Sequence, residues 1–252
     1  MQTPTSKRPS YPYALLLLAA LALALAACAP ARMAVPPGLK AGSAEFPVKG
    51  RTISIFEGSF SFGPYRVVKA RRGWTPSQSW SGTWRFINYK VRSARQNYEF
   101  TLLPPSGPAW DCRCTTQVDQ QIVKAMGGKY GEFSMETYGR AGYLCAFQPL
   151  DGSGYWQISM TRPSGQTLYS GVLSGPGKRF SVQGTHALAG TSIPLSDPTG
   201  YIFSLPGRPV AAVQVINEGT VWISPALPRP QRDALAAAAA GLLLYQELAK
   251  DE

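Results

Sequence analysis

Hydrophobic and polar residues alternate with a period of two along much of the chain between Arg51 and Ser224. In the stretch YEFTL at 98–102, apolar residues occupy every second position, with Glu and Thr between them. This alternation is typical of β-strands that bury one face, and it recurs in RTISIF at 51–56 and YWQISM at 155–160. Turn-forming residues separate such stretches at 152–154, 163–165, 206–207 and 217–219. We therefore expect a mainly β fold, an antiparallel barrel or sandwich of about twelve strands.

The chain ends in a different pattern, DALAAAAAGLLLYQEL, in which Asp233 and Glu247 are the only charged residues. Pro230 suits the first turn of a helix, and Asp233 favours the positive end of the helix dipole. Lys250 favours the negative end. These signals predict a helix over residues 230–249.

The uncharged part of this helix, residues 234–246, is about 20 Å long at 1.5 Å per residue. The hydrocarbon core of a bilayer is about 30 Å thick, so this segment is too short to span it. Residues 234–244 are apolar on every side of the helix, which is typical of a helix surrounded by protein. A helix lying on a membrane surface would need one polar face. We expect the helix to be buried in the β-structure or against it.

The N-terminus has the layout of an export signal. Lys7 and Arg8 form a short basic region, residues 14–27 are apolar, and small residues precede Cys28. The sequence Leu-Ala-Ala-Cys that ends at Cys28 resembles the lipobox of bacterial lipoproteins. The alternatives are an ordinary secretory signal or an uncleaved helix, although the apolar region is short for a bilayer span.

The lipobox resemblance implies cleavage before Cys28, a diacylglyceryl group on its sulfur and an acyl chain on its amine. Several acyl chains hold a protein on a membrane stably, whereas one holds it marginally. The membrane would therefore be a partner through the N-terminal lipid, and the location would be the bacterial cell envelope. In this family an Asp after the Cys usually marks retention in the inner membrane, and here the next residue is Ala29. The outer membrane is favoured if the cell has one.

Removal of residues 1–27 leaves 252 − 27 = 225 residues with a net charge of 23 − 14 = +9. Residues 28–46 comprise Cys28, which the lipobox resemblance marks for lipidation, and a stretch with Pro, Gly and Ala but no periodicity, which predicts a flexible tether. Residues 47–252 show no second linker and no internal repeat. They are expected to form a single β-rich domain.

The stretch GYIFSLPGRPVAAVQVINEGTVWIS at 200–224 consists of two successive hairpins and is followed by the apolar helix. This succession is similar to the tubby C-terminal-like fold of the tubby, LURP-one and scramblase-related families. The resemblance implies a barrel of roughly twelve strands threaded by the C-terminal helix. The basic phosphoinositide-binding residues of tubby proteins have no counterpart that can be located in this sequence. The resemblance therefore implies a fold and no ligand.

Three cysteines remain in the domain. Cys112 and Cys114 are two residues apart, so on a strand they face the same way, and Cys145 lies on another apolar stretch. In an exported protein a structural disulfide is favoured, joining Cys145 to Cys114 or to Cys112. Buried reduced thiols, thiol exchange and a metal site are the alternatives, and a metal site has no evident fourth ligand.

Catalytic motifs are absent from the sequence. His186 is the only histidine; Ser192, Ser196 and Asp197 are near it in sequence, but no motif places them together. We expect no enzymatic activity, no metal and no cofactor. The alternative is an envelope enzyme that uses Cys145 or His186.

One segment is rich in both basic and aromatic residues. The 41 residues from Gly58 to Tyr98 contain no Asp or Glu and eight bases, namely Arg66, Lys69, Arg71, Arg72, Arg85, Lys90, Arg92 and Arg95. Three tryptophans lie in or near a Gly/Pro/Ser-rich part of it, Trp74, Trp80 and Trp84. Exposed indoles contact sugar rings or lipid, although they also serve to plug the end of a barrel. Solvated outer strand positions are the alternative explanation of the charge.

We therefore expect a membrane-anchored, non-enzymatic module that binds anionic lipid, a cell-wall polysaccharide or an envelope protein. The residues expected to contact an anionic ligand are Arg71, Arg72, Arg92 and Arg95, with aromatic contacts from Trp74, Trp80 and Trp84. Nucleic acid is not an expected partner, because the envelope rarely presents it. A structural subunit of an envelope assembly is the further alternative.

Overall fold

The computed structural model describes residues 30–51, 58–73, 80–84, 87–91, 94–117, 121–127, 131–137, 141–162 and 168–250. Within it, Arg32–Glu252 forms one compact unit. Twelve antiparallel strands of this unit close into a barrel, which confirms the predicted fold class. The stretches 98–102 and 156–160 fall on barrel strands as predicted, while 52–56 and 163–165 lie outside the described residues.

The barrel strands in chain order are β1 (Ala44–Lys49), β2 (Gly58–Phe62), β3 (Tyr65–Arg72), β6 (Ala94–Leu103), β7 (Trp110–Gln117), β10 (Ala141–Pro149), β11 (Trp156–Arg162), β12 (Ser170–Gly175), β13 (Lys178–Thr185), β14 (Gly200–Leu205), β15 (Arg208–Gln214) and β16 (Thr220–Ile223). Two further hairpins are inserted between them, β4 (Trp80–Trp84) with β5 (Ile87–Val91) and β8 (Gln121–Gly127) with β9 (Gly131–Thr137).

Each barrel strand pairs with the barrel strand that follows it along the chain, and β1 closes the ring by pairing with β16. In such an up-and-down barrel the connections alternate between the two ends. Both inserted hairpins fall on connections at the same end, which we call the hairpin end. The opposite end, where short turns such as 176–177 and 206–207 join the strands, is the turn end. β5 and β8 lie beside each other, so the two inserted hairpins are neighbours.

The barrel contains a central helix. The short helix α1 spans Pro37–Gly42, and the C-terminal helix α2 spans Arg229–Lys250, within one residue of the predicted bounds at each end. Residues 234–244 of α2 are all buried, and α2 contacts strands of the barrel on several sides. The prediction that this helix is buried in the β-structure is confirmed. Its run of alanines explains the fit, because small side chains let the surrounding wall approach closely.

The direction of α2 follows from its contacts at either end. Arg229 Nη1 donates to Ser106 Oγ at 3.4 Å in the connection between β6 and β7, which is at the turn end. Near the other end of the helix, the hydroxyl oxygens of Tyr245 and Tyr169 are 3.2 Å apart, and Tyr169 precedes β12 at the hairpin end. The helix therefore begins at the turn end and runs to the hairpin end.

The chain before β1 packs on the outer wall of the barrel. Met33 and Leu39 are 2% exposed and form a small cluster with Ala212 of β15 and Trp222 of β16. The compact unit thus begins at Arg32, earlier than the expected boundary at residue 47, and β1 itself begins within the range expected to be a tether. Residues 32–43 lack a periodic pattern because they form only one short helix and otherwise pack as irregular chain on the outer wall of the barrel.

Candidate binding surface

A β-bulge in β3 determines where Arg71 points. Lys69 has a left-handed backbone with φ of 54°, and the pairing between β3 and β6 shifts between Val68 and Arg71. The bulge adds one residue to the alternation, so Ala70 is buried while Arg71 is exposed. Without it the alternation would reverse and turn Arg71 toward the core.

Arg71 belongs to a row of alternating charges on the outer wall. It lies directly opposite Glu99 of β6, and Glu99 lies opposite Arg113 of β7. Arg113 Nε is 4.0 Å from Glu99 Oε2, and Arg113 Nη2 is 3.6 Å from Asp111 Oδ2. An acid from just beyond the basic segment is thus brought beside one of its bases. Partly exposed pairs of this kind contribute little stability, but they reduce the local positive field.

The other residues predicted to contact a ligand lie at the hairpin end or outside the described residues. Arg72 is the last residue of β3 and Arg95 the second residue of β6, and both strand termini are at the hairpin end. Trp80 and Trp84 are the first and last residues of β4, opposite Val91 and Ile87 of β5. Arg92 and Trp74 lie outside the described residues.

The connection between β13 and β14, residues 186–199, also lies at the hairpin end. Its residues 189–197 are all exposed, and Ile193 is 73% exposed. Leu195, in the same loop, is 38% exposed. Among the described residues, only Leu150 joins these two as an exposed large hydrophobic side chain. Sequence reasoning missed the exposed apolar side chains of this loop because the loop has no periodicity, although it carries no charge between Thr185 and Asp197.

The lone histidine belongs to this loop. His186 Nδ1 is 3.0 Å from the backbone carbonyl oxygen of Asp197, and the backbone N–H of Leu195 donates to the carbonyl of His186 at 3.1 Å. In this structure the histidine helps to fix the loop conformation.

The cysteines lie inside the barrel. Cys114 and Cys145 are directly opposite each other on β7 and β10, with their Cα atoms 4.1 Å apart, and they form a disulfide. Cys112 lies opposite Phe147 and carries a free, fully buried thiol. Burial raises the pKa of the Cys112 thiol well above its ordinary value. A reactive thiol is partly exposed and has a lowered pKa, so Cys112 lacks both properties.

A hydroxyl network joins the disulfide to the central helix. The Tyr98 hydroxyl donates to the carbonyl oxygen of Gly241 at 2.7 Å, and its oxygen is 3.1 Å from that of Tyr143. The Tyr143 hydroxyl lies 3.0 Å from Cys145 Sγ. A disulfide sulfur carries no hydrogen, so the hydroxyl is the donor in that contact. Burial raises the pKa of both tyrosines well above their ordinary value, which keeps them neutral hydrogen-bonding groups.

A shallow groove of about 600 Å³ lies on the outer wall near the turn end. Arg179 and Arg208 line it together with Ser181 and Ser204. All four side chains are at least partly exposed, so the groove has no desolvated polar group that would fix a ligand.

Within the part of the chain that the structure describes, no three His, Cys, Asp or Glu residues are grouped as metal ligands would be. Over the same ranges, no helix is both long and apolar enough to cross a membrane. Comparison with family models, curated proteins and solved structures found no match for this chain.

Proposed function

We propose that this protein is a lipid-anchored, non-enzymatic protein of the bacterial envelope whose hairpin end binds an anionic lipid or polysaccharide surface. One observation carries the proposal. Within the acid-free segment 58–98, residues 73–93 between β3 and β6 are inserted at the hairpin end, so Arg72, Lys90 and Arg95 lie in this insertion or directly beside it. Like charges gathered at one end produce a field that attracts anions over roughly 8 Å at physiological salt.

The interior of the barrel supports a binding role over a catalytic one. The helix α2 fills the interior, which in some other barrels holds a ligand, and residues 234–244 are buried against the wall. Cys145 is consumed in a disulfide and His186 contacts backbone, so the two groups considered for catalysis have structural partners. The hairpin end offers exposed apolar side chains at Ile193 and Leu195 beside the basic elements.

The four predicted arginines are not equivalent in this proposal. Arg71 faces Glu99 across the strand pair, so its charge is partly neutralised before any ligand approaches. Arg72, Arg92 and Arg95 have no acid in the segment between them. At about 1 kcal/mol per base near an anionic surface, these three together contribute about 3 kcal/mol, which is roughly 100-fold in affinity.

The test compares a triple variant at the hairpin end with a triple variant at the turn end. Both are made in the mature chain carrying Cys28→Ser, so that an attached lipid does not mask the binding. Changing Arg72, Arg92 and Arg95 together to Gln should lower binding to phosphatidylglycerol vesicles or lipopolysaccharide roughly 100-fold at low salt. Adding Arg71→Gln should abolish the remaining preference over phosphatidylcholine with only a small further loss. Binding of the parent should also weaken as salt rises.

The matched control removes three bases from the opposite end. Lys178, Arg179 and Arg208 are exposed and lie beside the two turns at 176–177 and 206–207. Changing them together to Gln alters the net charge equally and should leave binding nearly unchanged. If the control loses as much affinity as the hairpin-end variant, the binding depends on net charge or on the outer groove. The proposal is then wrong.

A further inference from the structure

The N-terminal segment of the compact unit, beginning at Arg32, first contacts the barrel wall at the hairpin end. The backbone N–H of Ala189 donates to the carbonyl of Arg32 at 2.8 Å, and that of Ala34 donates to the carbonyl of Ala187 at 3.0 Å. Between them, the N–H of Met33 donates to Gln214 Oε1 at 2.9 Å. Three hydrogen bonds and the buried Met33 side chain thus fix this segment beside the loop 186–199.

From this point the segment runs along the outer wall to the opposite end. Leu39 of α1 is buried against the wall, and β1 starts with Ala44 opposite Ile223, the last residue of β16. The end of β16 lies at the turn end, so the segment 32–43 covers the length of the wall before β1 returns. Because residues 32–43 are packed against the wall, they do not lengthen the connection between Cys28 and the barrel. Only the residues before Arg32 determine how far Cys28 lies from it.

The reach of a lipid on Cys28 is therefore short. Only Ala29, Pro30 and Ala31 separate Cys28 from Arg32, and four residue steps span at most about 14 Å. An eight-residue strand such as β13 is about 26 Å long. A lipid at Cys28 keeps the hairpin end within about 14 Å of the bilayer and does not reach the turn end.

The loop 186–199 is suited to contact that bilayer. Its tip is uncharged, and Ile193 and Leu195 are the most prominent apolar side chains on the described surface of this end. The hydroxyl oxygen of Thr199 lies 3.0 Å from the carbonyl oxygen of Thr185 and 3.1 Å from that of Ala187, and its single hydrogen is directed at these two acceptors, which closes the base of the loop. The loop is thus preformed, and insertion needs little further ordering.

We propose that the hairpin end faces the membrane and that the tip at Ile193 and Leu195 inserts into the bilayer interface beside the lipid anchor. The inference rests on the proposed lipidation of Cys28. Burying two aliphatic side chains suits a lipid interface, whereas a stable protein interface needs about 800 Å² on each partner. The basic elements at the same end, including Arg72 and Arg95, then meet anionic headgroups.

The experiment uses the full lipidated chain reconstituted in vesicles that contain phosphatidylglycerol. A polarity-sensitive fluorophore is attached to Ile193→Cys, with Leu150→Cys as the matched control, because Leu150 is 48% exposed in the connection between β10 and β11 at the turn end. Cys112 is buried and does not compete for the label in the folded protein. We expect a blue-shifted emission that is quenched by lipid-borne quenchers at 193, and neither effect at 150.

The outcomes distinguish this inference from the proposed function. Mass spectrometry of the mature N-terminus reports the lipid on Cys28 independently of the fluorophore. If the lipid is present and the probe at 193 is not quenched, or the probe at 150 is quenched equally, the orientation is wrong while the anchored function stands. If Cys28 carries no lipid, the anchored function fails and the orientation argument fails with it. The variant Ile193→Asp should keep the melting temperature of the parent, which shows that the contact concerns the membrane and not the fold.

Discussion

The hydroxyl of Tyr98 donates a 2.7 Å hydrogen bond to the carbonyl oxygen of Gly241, in the middle of the buried helix. A Cβ atom at position 241 would lie 2.8 Å from the hydroxyl oxygen of Tyr143, and 3.3 and 3.4 Å from the sulfurs of Cys114 and Cys145. Glycine is therefore required here by close approach of the wall, although its φ is ordinary for a helix. The helix, the tyrosines and the disulfide form one packed unit.

The first prediction concerns this contact. Replacing Gly in a helix by Ala normally gains about 1 kcal/mol. Gly241→Ala should instead lower the free energy of unfolding by on the order of 1–2 kcal/mol, because overpacking costs about 1–3 kcal/mol. In the background of Tyr143→Phe, which removes the nearest atom, the same change should cost less. Urea unfolding of the four proteins measures the coupling, and a Gly241→Ala protein more stable than the parent would contradict the close packing.

The second prediction concerns the disulfide. Replacing Cys114 and Cys145 together by Ala should lower the free energy of unfolding by about 3 kcal/mol, because the bond closes a loop with a sequence separation of 31. Cys112→Ala serves as the control, since it alters a buried sulfur without breaking the bond. In the native protein carrying Cys28→Ser, iodoacetamide should label no thiol, and after unfolding it should label Cys112 alone. Labelling of Cys114 or Cys145 without reductant would overturn the pairing.

The main features of this fold could be predicted because they depend on local patterns. The period of two in stretches such as 98–102 indicates strands that bury one face, and the uniformly apolar 234–244 indicates a helix surrounded by protein. The number of strands expected for the barrel is also correct. Both signals arise from which faces of an element are buried, and neither requires knowledge of its neighbours.

The features that could not be predicted from the sequence depend on the register between strands that are distant along the chain. Cys112 and Cys114 face the same way, and only the pairing of β7 with β10 places Cys114 opposite Cys145. The pairing of Arg71 with Glu99 likewise follows from a bulge at Lys69 that alternation does not reveal. A one-residue shift reverses every side chain of a strand, so a short basic segment does not by itself define a surface.

The third prediction concerns the pH dependence of Asp233. Burial raises the pKa of this carboxyl above its ordinary value, against the opposing effects of a 3.2 Å hydrogen bond from the Tyr65 hydroxyl and the nearby Arg229. Because the folded pKa is raised, the parent loses stability as pH rises from the unfolded pKa, about 3.9, through the folded pKa. Asp233→Asn does not titrate, and its amide oxygen can still accept from Tyr65. Its stability relative to the parent should therefore increase from pH 4 to pH 7.5 in urea unfolding.

Asp151 provides a control of opposite sign. Its pKa is lowered by hydrogen bonds from Ser153, whose backbone N–H lies 2.9 Å from Asp151 Oδ1. The parent gains this stabilisation above the unfolded pKa and loses it as pH falls through the folded pKa. The stability of Asp151→Asn relative to the parent should therefore decrease as pH rises. Equal trends in the two Asn variants would show that burial does not control the titration of Asp233.

The fourth prediction tests the core of the helix. Leu243 is fully buried, and Leu243→Asp places an unpaired carboxylate among apolar side chains. The cost is several kcal/mol, comparable with the roughly 5–15 kcal/mol that stabilises a whole domain, so this variant should unfold. Leu195→Asp makes the same chemical change at a side chain that is 38% exposed and should remain folded. Circular dichroism distinguishes the two, and a folded Leu243→Asp protein would place that residue in contact with solvent.

The fifth prediction separates the lipid from the helix as the source of membrane attachment. Cys28→Ser removes the sulfur that the lipobox resemblance marks for acylation, while residues 234–244 remain enclosed by the barrel. The loop at Ile193 and Leu195 contributes a few kcal/mol at most, which is insufficient for stable attachment alone. After signal cleavage, the variant should therefore leave the membrane fraction in a wash with high salt, whereas the parent should require detergent. Ala29→Ser, beside the same cleavage site, should behave as the parent. If the cleaved Cys28→Ser protein stays in the membrane fraction after the salt wash to the same extent as the parent, the attachment is not through Cys28. The domain itself then binds the membrane.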